Sequence, residues 1–389
     1  MRKLVHVTGA RPNFPKAAPV LEALHGRVEQ VLVHTGQHYD DRLSRVFFDE
    51  LGLPEPDLDL GVGSGSHAGQ TAAVMTGLEK VFLEHQPDLV VVYGDINSTL
   101  AAALVAAKLV IPVAHVEAGL RSFDMTMPEE VNRRVTDQLS DLLLVTSADA
   151  VGHLAREGVP ADRIHFVGNP MIDTLLKHLD RFDEAAARAT HGLEGDYLVA
   201  TLHRPSNVDD PAAVERLVAV LHQVAERMPL VVPLHPRGRD RLEKAGLHAS
   251  GAVKILEPLP YTSFLGLVRG ASAVLTDSGG VQEEATVLGV PCLTMRPNTE
   301  RPVTITHGTN RLVTPQEVPA ALDEVLARPG ATRPAPPEQR PPLWDGAAGP
   351  RIAEAILSYV DDQPTLRDHA NFPRGSGGSS RPPTGWGIA

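Results

Sequence analysis

An alternation that runs twice along the chain constrains its fold more than any other feature. In the first half, residues 4–8, 31–35, 88–93, 113–116 and 142–146 read as short apolar, β-branched strands. Residues 15–24, 70–84, 98–109 and 129–139 between them read as amphipathic helices. The second half restarts the pattern, with strands at 197–201, 230–233, 253–256, 273–276 and 292–295. Its helices fall at 211–227, 263–269, 281–288 and 316–326. Strands joined through helices build a parallel sheet covered on both faces. The expected fold is therefore α/β: two Rossmann-like, doubly wound parallel-sheet domains facing a cleft. Such sheets gather their functional loops at the C-terminal strand ends, so the cleft is the expected ligand site. The expected boundaries are 1–170 for an N-terminal domain and 171–348 for a C-terminal domain. A helix at 349–361 is expected to pack back on the N-terminal domain, with Ile352, Ala355, Ile356 and Tyr359 on one face. Residues 328–342 are rich in proline and read as irregular. Residues 362–389, mostly Gly, Ser, Pro and Arg, read as a disordered tail.

Composition excludes several classes. Thirty-six basic residues against forty-eight acidic give a net charge of -12, which opposes broad nucleic-acid or anionic-membrane binding. The single cysteine, Cys292, rules out an in-chain disulfide framework, and its apolar run marks it as inert core. The longest apolar stretch, 100–116, is broken by Lys108 and Pro112 and is too short to span a bilayer. Met1-Arg2-Lys3 leads straight into a strand without a separate apolar leader, so a cytoplasmic protein is expected. His34, His38, His115 and His203 lack helical HxxxH spacing and cysteine partners, so no metal is expected.

The chemistry-bearing residues fall at strand ends. Asp95 follows the third strand of the first half through Gly94, and Glu117 follows the fourth. Glu129 and Glu130 follow Pro128 at a helix start, where an acid also serves the helix dipole. Converging carboxylates can raise one member's pKa and form an acid/base set. Asp277-Ser278-Gly279-Gly280 joins a strand to a helix. Its glycines and free N–H groups suit an anion, although Ser278 could simply cap the helix. Glu284, a turn later, could accept both hydroxyls of a ribose. Arg11, Lys16, Arg204, His235, Arg237 and Arg301 place positive charge at strand ends or helix starts.

These segments, taken in order, resemble the non-hydrolysing UDP-N-acetylglucosamine 2-epimerases. The resemblance runs from the first strand to about residue 315. It is carried by Gly9-Ala10-Arg11-Pro12-Asn13-Phe14-Pro15-Lys16, His34-Thr35-Gly36-Gln37-His38-Tyr39-Asp40 and Tyr93-Gly94-Asp95-Ile96-Asn97-Ser98-Thr99. It continues through His115-Val116-Glu117-Ala118-Gly119-Leu120-Arg121-Ser122 and Met127-Pro128-Glu129-Glu130-Val131-Asn132-Arg133. The second half adds Leu202-His203-Arg204, Thr276-Asp277-Ser278-Gly279-Gly280-Val281-Gln282-Glu283-Glu284 and Thr299-Glu300-Arg301-Pro302.

The resemblance implies a GT-B-type fold and interconversion of UDP-GlcNAc and UDP-ManNAc without NAD, metal or other cofactor. It implies elimination of UDP to a glycal, then re-addition with the opposite C2 face protonated. Asp95, Glu117, Glu129 and His203 match the family's catalytic positions. Arg11, Lys16, Arg133, His235, Phe264, Ser278, Gly279, Gly280, Glu284 and Arg301 match its nucleotide-sugar-binding positions. A homodimer is the family expectation, with a UDP-sugar as the small-molecule partner and no nucleic-acid or membrane partner. Pro205 replaces an arginine that one branch of the family ties to allosteric activation by UDP-GlcNAc. The same chemistry on a 2,3-diacetamido uronic acid remains a competing reading, as does a GT-B glycosyltransferase. The transferase has no evident use for three acids around C2.

Overall fold

A computed structural model describes residues 1–37, 50–234, 236–327 and 334–363, without the side chains of Pro205, Ser206, Pro236 and Arg237. Two all-parallel sheets organise the chain. The first has seven strands in the order β3-β2-β1-β4-β5-β6-β7. These are Lys3–Thr8 (β1), Glu29–His34 (β2), Leu58–Asp59 (β3), Leu89–Tyr93 (β4), Val113–Ala118 (β5), Leu142–Val145 (β6) and Ile164–Phe166 (β7). The second has six strands in the order β10-β9-β8-β11-β12-β13. They are Leu198–Thr201 (β8), Leu230–Pro233 (β9), Val253–Leu256 (β10), Ala273–Thr276 (β11), Cys292–Thr294 (β12) and Asn310–Leu312 (β13). β1, β4, β5 and β6 are almost wholly buried, as expected of parallel strands covered on both faces. β3, β7 and β13 were not expected from the sequence. They are two- and three-residue edge strands, too short to show a periodicity.

The helices that frame the cleft begin with recognisable start signals. Phe14–Leu24 (α1) opens with Pro15 in its first turn. His67–His85 (α2) is capped by Ser66, whose hydroxyl accepts from the Gly69 N–H. Asn97–Lys108 (α3) and Pro128–Leu139 (α4) follow β4 and β5. Ala148–Arg156 (α5) precedes β7, and Pro170–Lys177 (α6) follows it, capped by Asn169. Glu184–His191 (α7), Pro211–Ala225 (α8), Pro236–Lys244 (α9), Tyr261–Arg269 (α10), Gly279–Leu288 (α11) and Val318–Leu326 (α12) flank the second sheet.

The chain then returns to the first sheet. Trp344 is buried and donates its indole N–H to the Thr146 carbonyl at 2.9 Å. Ala348–Asp362 (α13) packs on α1, α6 and β6. Its buried stripe is Ile352, Ala353, Ile356 and Val360, rotated from the expected face; Ala355 and Tyr359 are only half-buried. Gly349 leaves room for that packing, because a Cβ there would lie 2.6 Å from the Pro19 carbonyl oxygen, so α13 meets α1 backbone to backbone. Of the proline-rich stretch, 334–342 contains only a short 3-10 turn at Pro337–Gln339, and 328–333 lies outside the described residues. The expected disordered tail, 362–389, starts at Asp362, which instead closes α13, and beyond residue 363 it lies outside the described residues. Among the described residues no helix is long and apolar enough to cross a membrane.

Candidate active site

In each sheet the strand order reverses direction once, between β1 and β4 in the first and between β8 and β11 in the second. A crevice opens at such a switch point, beyond the carboxyl ends of the strands. The loops that leave these four strands carry Gly9–Lys16, Gly94–Asp95, His203–Arg204 and Asp277–Gly280. Asn13 fixes the first loop: its Oδ1 accepts from the Gly9 and Ala10 N–H groups, and its Nδ2 donates to the Tyr93 carbonyl at 2.9 Å.

Glu117 stands at the centre. It is the next-to-last residue of β5, at a break in the register with β6, and its φ of 75° puts a non-glycine residue in the left-handed region. That conformation costs about 1–3 kcal/mol and persists only where the surroundings impose it. The side chain is buried, with Lys16 Nζ 2.8 Å from its carboxylate. Arg301, from the second half of the chain, places Nη2 3.3 Å from Glu117 Oε1. The same guanidinium pairs with Glu283 through Nε at 3.0 Å and with Glu300 through Nη1. Burial alone would lower the pKa of Arg301, but Glu283, Glu300, Glu117 and Asp95 outweigh it and drive the pKa up.

Asp95 stands beside this cluster, with Arg133 Nη1 2.5 Å from its Oδ2. Desolvation pushes the Asp95 carboxyl up, but Arg133, Lys16 and Arg301 together hold it below the usual carboxylate range. Arg133 is almost fully enclosed and also donates to Glu130, so it lies behind Asp95 and orients it. The two adjacent acids of α4 have separate fates. Glu130 is buried and accepts from the Ser122 N–H and hydroxyl and the Phe123 N–H, which ties down the loop after β5. Glu129 is half-buried, and among the described residues no hydrogen bond reaches its carboxylate. Its charge acts on Arg204, from the second half of the chain, and favours the charged guanidinium.

The opposite wall belongs to the second sheet. Ser278 takes the N-cap position of α11 but makes no side-chain cap bond; its N–H donates to Thr276 Oγ1 at 3.0 Å. The hydroxyl and the first N–H groups of α11 thus remain available to a ligand. Gly279 leaves room for the cluster, because a Cβ there would lie 2.4 Å from Arg301 Nη1 and 2.8 Å from Glu300 Oε1 and would displace them. At Gly280 a Cβ would meet only Met171, at ordinary contact distance. Asp277 is fully buried and accepts from the N–H groups of His203 and Arg204 and from Asn207 Nδ2. It therefore shapes the loop that presents His203, whose side chain is 59% exposed with Nδ1 3.2 Å from Asp277 Oδ1. Arg11 opens a 3-10 turn before α1. Phe264 is half-buried on α10, against the core. His235 lies outside the described residues, as does His38, and the side chain of Arg237 is not described.

Glu284 lies a turn into α11. Burial pushes its carboxyl up to about 8, Glu283 adds to the shift, and a hydrogen bond with Tyr261 opposes it. The folded value exceeds the ordinary 4.5, so the folded chain holds this proton more tightly than the unfolded one. Its contribution to stability is complete below about pH 4.5 and is lost as the pH rises towards about 8. Glu284→Gln should therefore melt like the parent near pH 5 and above it near pH 8. Equal melting of the two proteins across that range, followed by circular dichroism, would contradict the assignment.

A family model described as UDP-N-acetylglucosamine 2-epimerase matches residues 22–357. The chain belongs to that family. A UDP-N-acetylglucosamine 2-epimerase of Methanocaldococcus jannaschii is 40% identical over 370 residues, which are 92% of this chain and 99% of the relative. A Pseudomonas aeruginosa relative, named UDP-2,3-diacetamido-2,3-dideoxy-D-glucuronate 2-epimerase, is 42% identical over 316 residues, 80% of this chain and 88% of its own. The crystal structure of M. jannaschii UDP-GlcNAc 2-epimerase in complex with UDP-GlcNAc and UDP matches with a TM-score of 0.82 over 92% of this chain and 99% of that one. The Neisseria meningitidis UDP-GlcNAc 2-epimerase bound to UDP-GlcNAc matches with a TM-score of 0.80 at 27% identity, over 93% and 100% of the two chains. The fold of the family is thus the fold described above.

The cleft brings together Asp95, Glu117, Lys16, Arg133, Arg301 and Gly279, as the distances above record. It also contains residues that the sequence reading passed over. Glu300 is buried between Arg296 and Arg301 and is held well below the usual carboxylate range by them, against the opposing effect of burial. Asp277 had a usable signal, because it follows an apolar strand as Asp95 does. Glu283 had none, since a helical Glu-Glu pair reads as solvent-facing, whereas both members are buried here.

Proposed function

We propose that the chain interconverts UDP-GlcNAc and UDP-ManNAc. The diphosphate would lie on the N-terminus of α11, at Ser278–Gly280, with Arg301 and His203 beside it. The sugar would face Asp95, Glu117 and Glu129. A carboxylate takes the C2 proton, the C2–H electron pair becomes the C1=C2 bond, and the C1–O bond breaks with its pair leaving on UDP. The glycal then takes UDP back at C1 while an acid on the other face returns a proton to C2. Asp95 is paired with Arg133 and Glu117 with Lys16, so both carboxylates are held by cations. The reading gives the C2 proton to Glu117, the carboxylate that Arg301 joins to the diphosphate cradle, and the opposite face to Glu129, whose carboxylate takes no hydrogen bond among the described residues. One observation carries the proposal: Arg301, packed on the glycine that opens α11, reaches 3.3 Å to Glu117 in the other half. A diphosphate cradle and a candidate base thus share one side chain.

Elimination is tested with UDP-GlcNAc labelled with 18O in the sugar–phosphate bridge. Reversible C–O cleavage should scramble the label into the non-bridging β-phosphate positions. UDP-ManNAc formation without any scrambling would overturn the elimination route. Gly279→Ala should weaken UDP binding by about 10–100-fold, the loss of one charge-assisted contact, because the new methyl displaces Arg301. Isothermal titration with UDP measures this, and unchanged affinity would detach Arg301 from the diphosphate.

The P. aeruginosa relative supports a second substrate reading. A uronate carboxylate needs a cation, and Arg204, on which the charge of Glu129 acts, is in place to supply one. Turnover of the diacetamido uronate but not of UDP-GlcNAc would favour this reading. Homodimer assembly and a cytoplasmic location go with either reading and rest on the family resemblance.

A further inference from the structure

One buried carboxylate holds both of the loops that carry Asp95 and Glu117. Asp137 lies on α4, one turn beyond Arg133. Its Oδ1 is 2.6 Å from His115 Nδ1, and His115 Nε2 is 2.8 Å from the carbonyl oxygen of Gly94. Its Oδ2 accepts from the Gly119 N–H at 3.1 Å and pairs with Arg121 at 2.7 Å. Asp137 therefore reaches the residue before Asp95 by one arm and the second residue after Glu117 by the other. The side chains of His115, Asp137 and Arg121 are all fully enclosed. A carbonyl oxygen can only accept, so His115 donates at Nε2 to Gly94 while its Nδ1 faces Asp137.

The loops need such support. Gly94, Glu117 and Gly119 all have φ between 63° and 79°, so three left-handed residues stand within two short loops. At Gly119 a Cβ would fall 2.8 Å from the Ala150 carbonyl oxygen, which leaves the loop no slack against α5. Asp95 and Glu117 leave neighbouring strands, and their separation depends on how these two loops are joined. Arg121 is also gripped by both oxygens of Glu157, at 2.8 and 2.7 Å, so its charge stays paired without Asp137.

We propose that Asp137, acting through His115 and the Gly119 N–H, is a positioning residue that sets the spacing of Asp95 and Glu117 for epimerisation. Both side chains are fully enclosed, so they act through the two loops. The inference rests on the epimerase reading above. Asp137→Asn keeps the size of the side chain but puts a donor or an acceptor against the wrong neighbour. Its kcat should fall about 10²-fold, the effect of a misplacement near 1 Å. KM and the affinity for UDP should stay within about threefold, since the diphosphate cradle lies in the other half. His115→Gln retains a donor for Gly94 while losing the Asp137 contact, so it should show the same split if Asp137→Asn fails to fold. The double variant should fall no further than the worse single one, as expected of residues acting as a unit. An unchanged kcat, or kcat, UDP affinity and melting temperature falling together, would overturn the positioning role. A parent protein that epimerises neither UDP-sugar would instead overturn the functional reading on which this inference rests.

Discussion

Glu117→Gln is expected to lower turnover of UDP-GlcNAc about 10²–10⁴-fold, the range for loss of a general base. Glutamine keeps the shape and two polar atoms, so Lys16 and Arg301 retain an acceptor where the carboxylate was. The left-handed backbone is imposed by the bulge and its neighbours and should survive the change. UDP affinity should therefore stay within about threefold, because the α11 N-terminus and Gly279 are untouched. Turnover and UDP titration on the same preparation separate the outcomes. Full turnover would remove Glu117 from the proton transfer and leave Asp95 or Glu129 to carry it. Loss of UDP binding alongside turnover would give Glu117 an architectural role only.

Arg301→Met carries the second large expectation, on stability as well as activity. Arg301 is 6% exposed and is shared among Glu117, Glu283 and Glu300. Its removal strands buried carboxylates, and breaking a buried pair in this way costs about 3–5 kcal/mol. Part of that loss should be met by proton uptake at Glu283, whose carboxyl burial already pushes up to about 7. The variant should consequently be most destabilised at high pH, where those carboxylates must ionise unaided. Arg301→Lys should recover only part of the stability, because an ammonium is a point charge and cannot span three carboxylates as a guanidinium fork does. Urea denaturation at two pH values measures both effects. A methionine variant as stable as the parent at high pH would show that the cross-cleft network contributes little.

Much of the architecture was legible because it is written in period and composition. Buried parallel strands such as β4, Leu-Val-Val-Val-Tyr, announce themselves as apolar runs, and the acids that end them stand out by contrast. That contrast located Asp95 and Glu117, and the same logic applied to Asp277 would have found the carboxylate that shapes the His203 loop. The failures have a physical pattern. β3, β7 and β13 are too short for alternation to register. The buried face of α13 follows its packing on α1, where Gly349 meets the Pro19 backbone, a contact that no helical wheel contains. Glu129 and Glu130 are chemically alike and adjacent, and only the path of the Ser122–Phe123 backbone assigns one to the loop and the other to the cleft. The resemblance gives Arg133 as a ligand-binding position, and its ion pairs with Asp95 and Glu130 appear only when α4 is packed. The buried link from Asp137 through His115 to Gly94 joins residues that look unremarkable one at a time.

The central claim is that carboxylates in this cleft move the C2 proton of a UDP-sugar. A proton NMR time course of the purified full-length chain with UDP-GlcNAc in D2O tests it most directly. The account predicts that UDP-ManNAc appears and that deuterium enters C2 of both sugars as equilibrium is approached. UDP-ManNAc that retains the original C2 proton would contradict it.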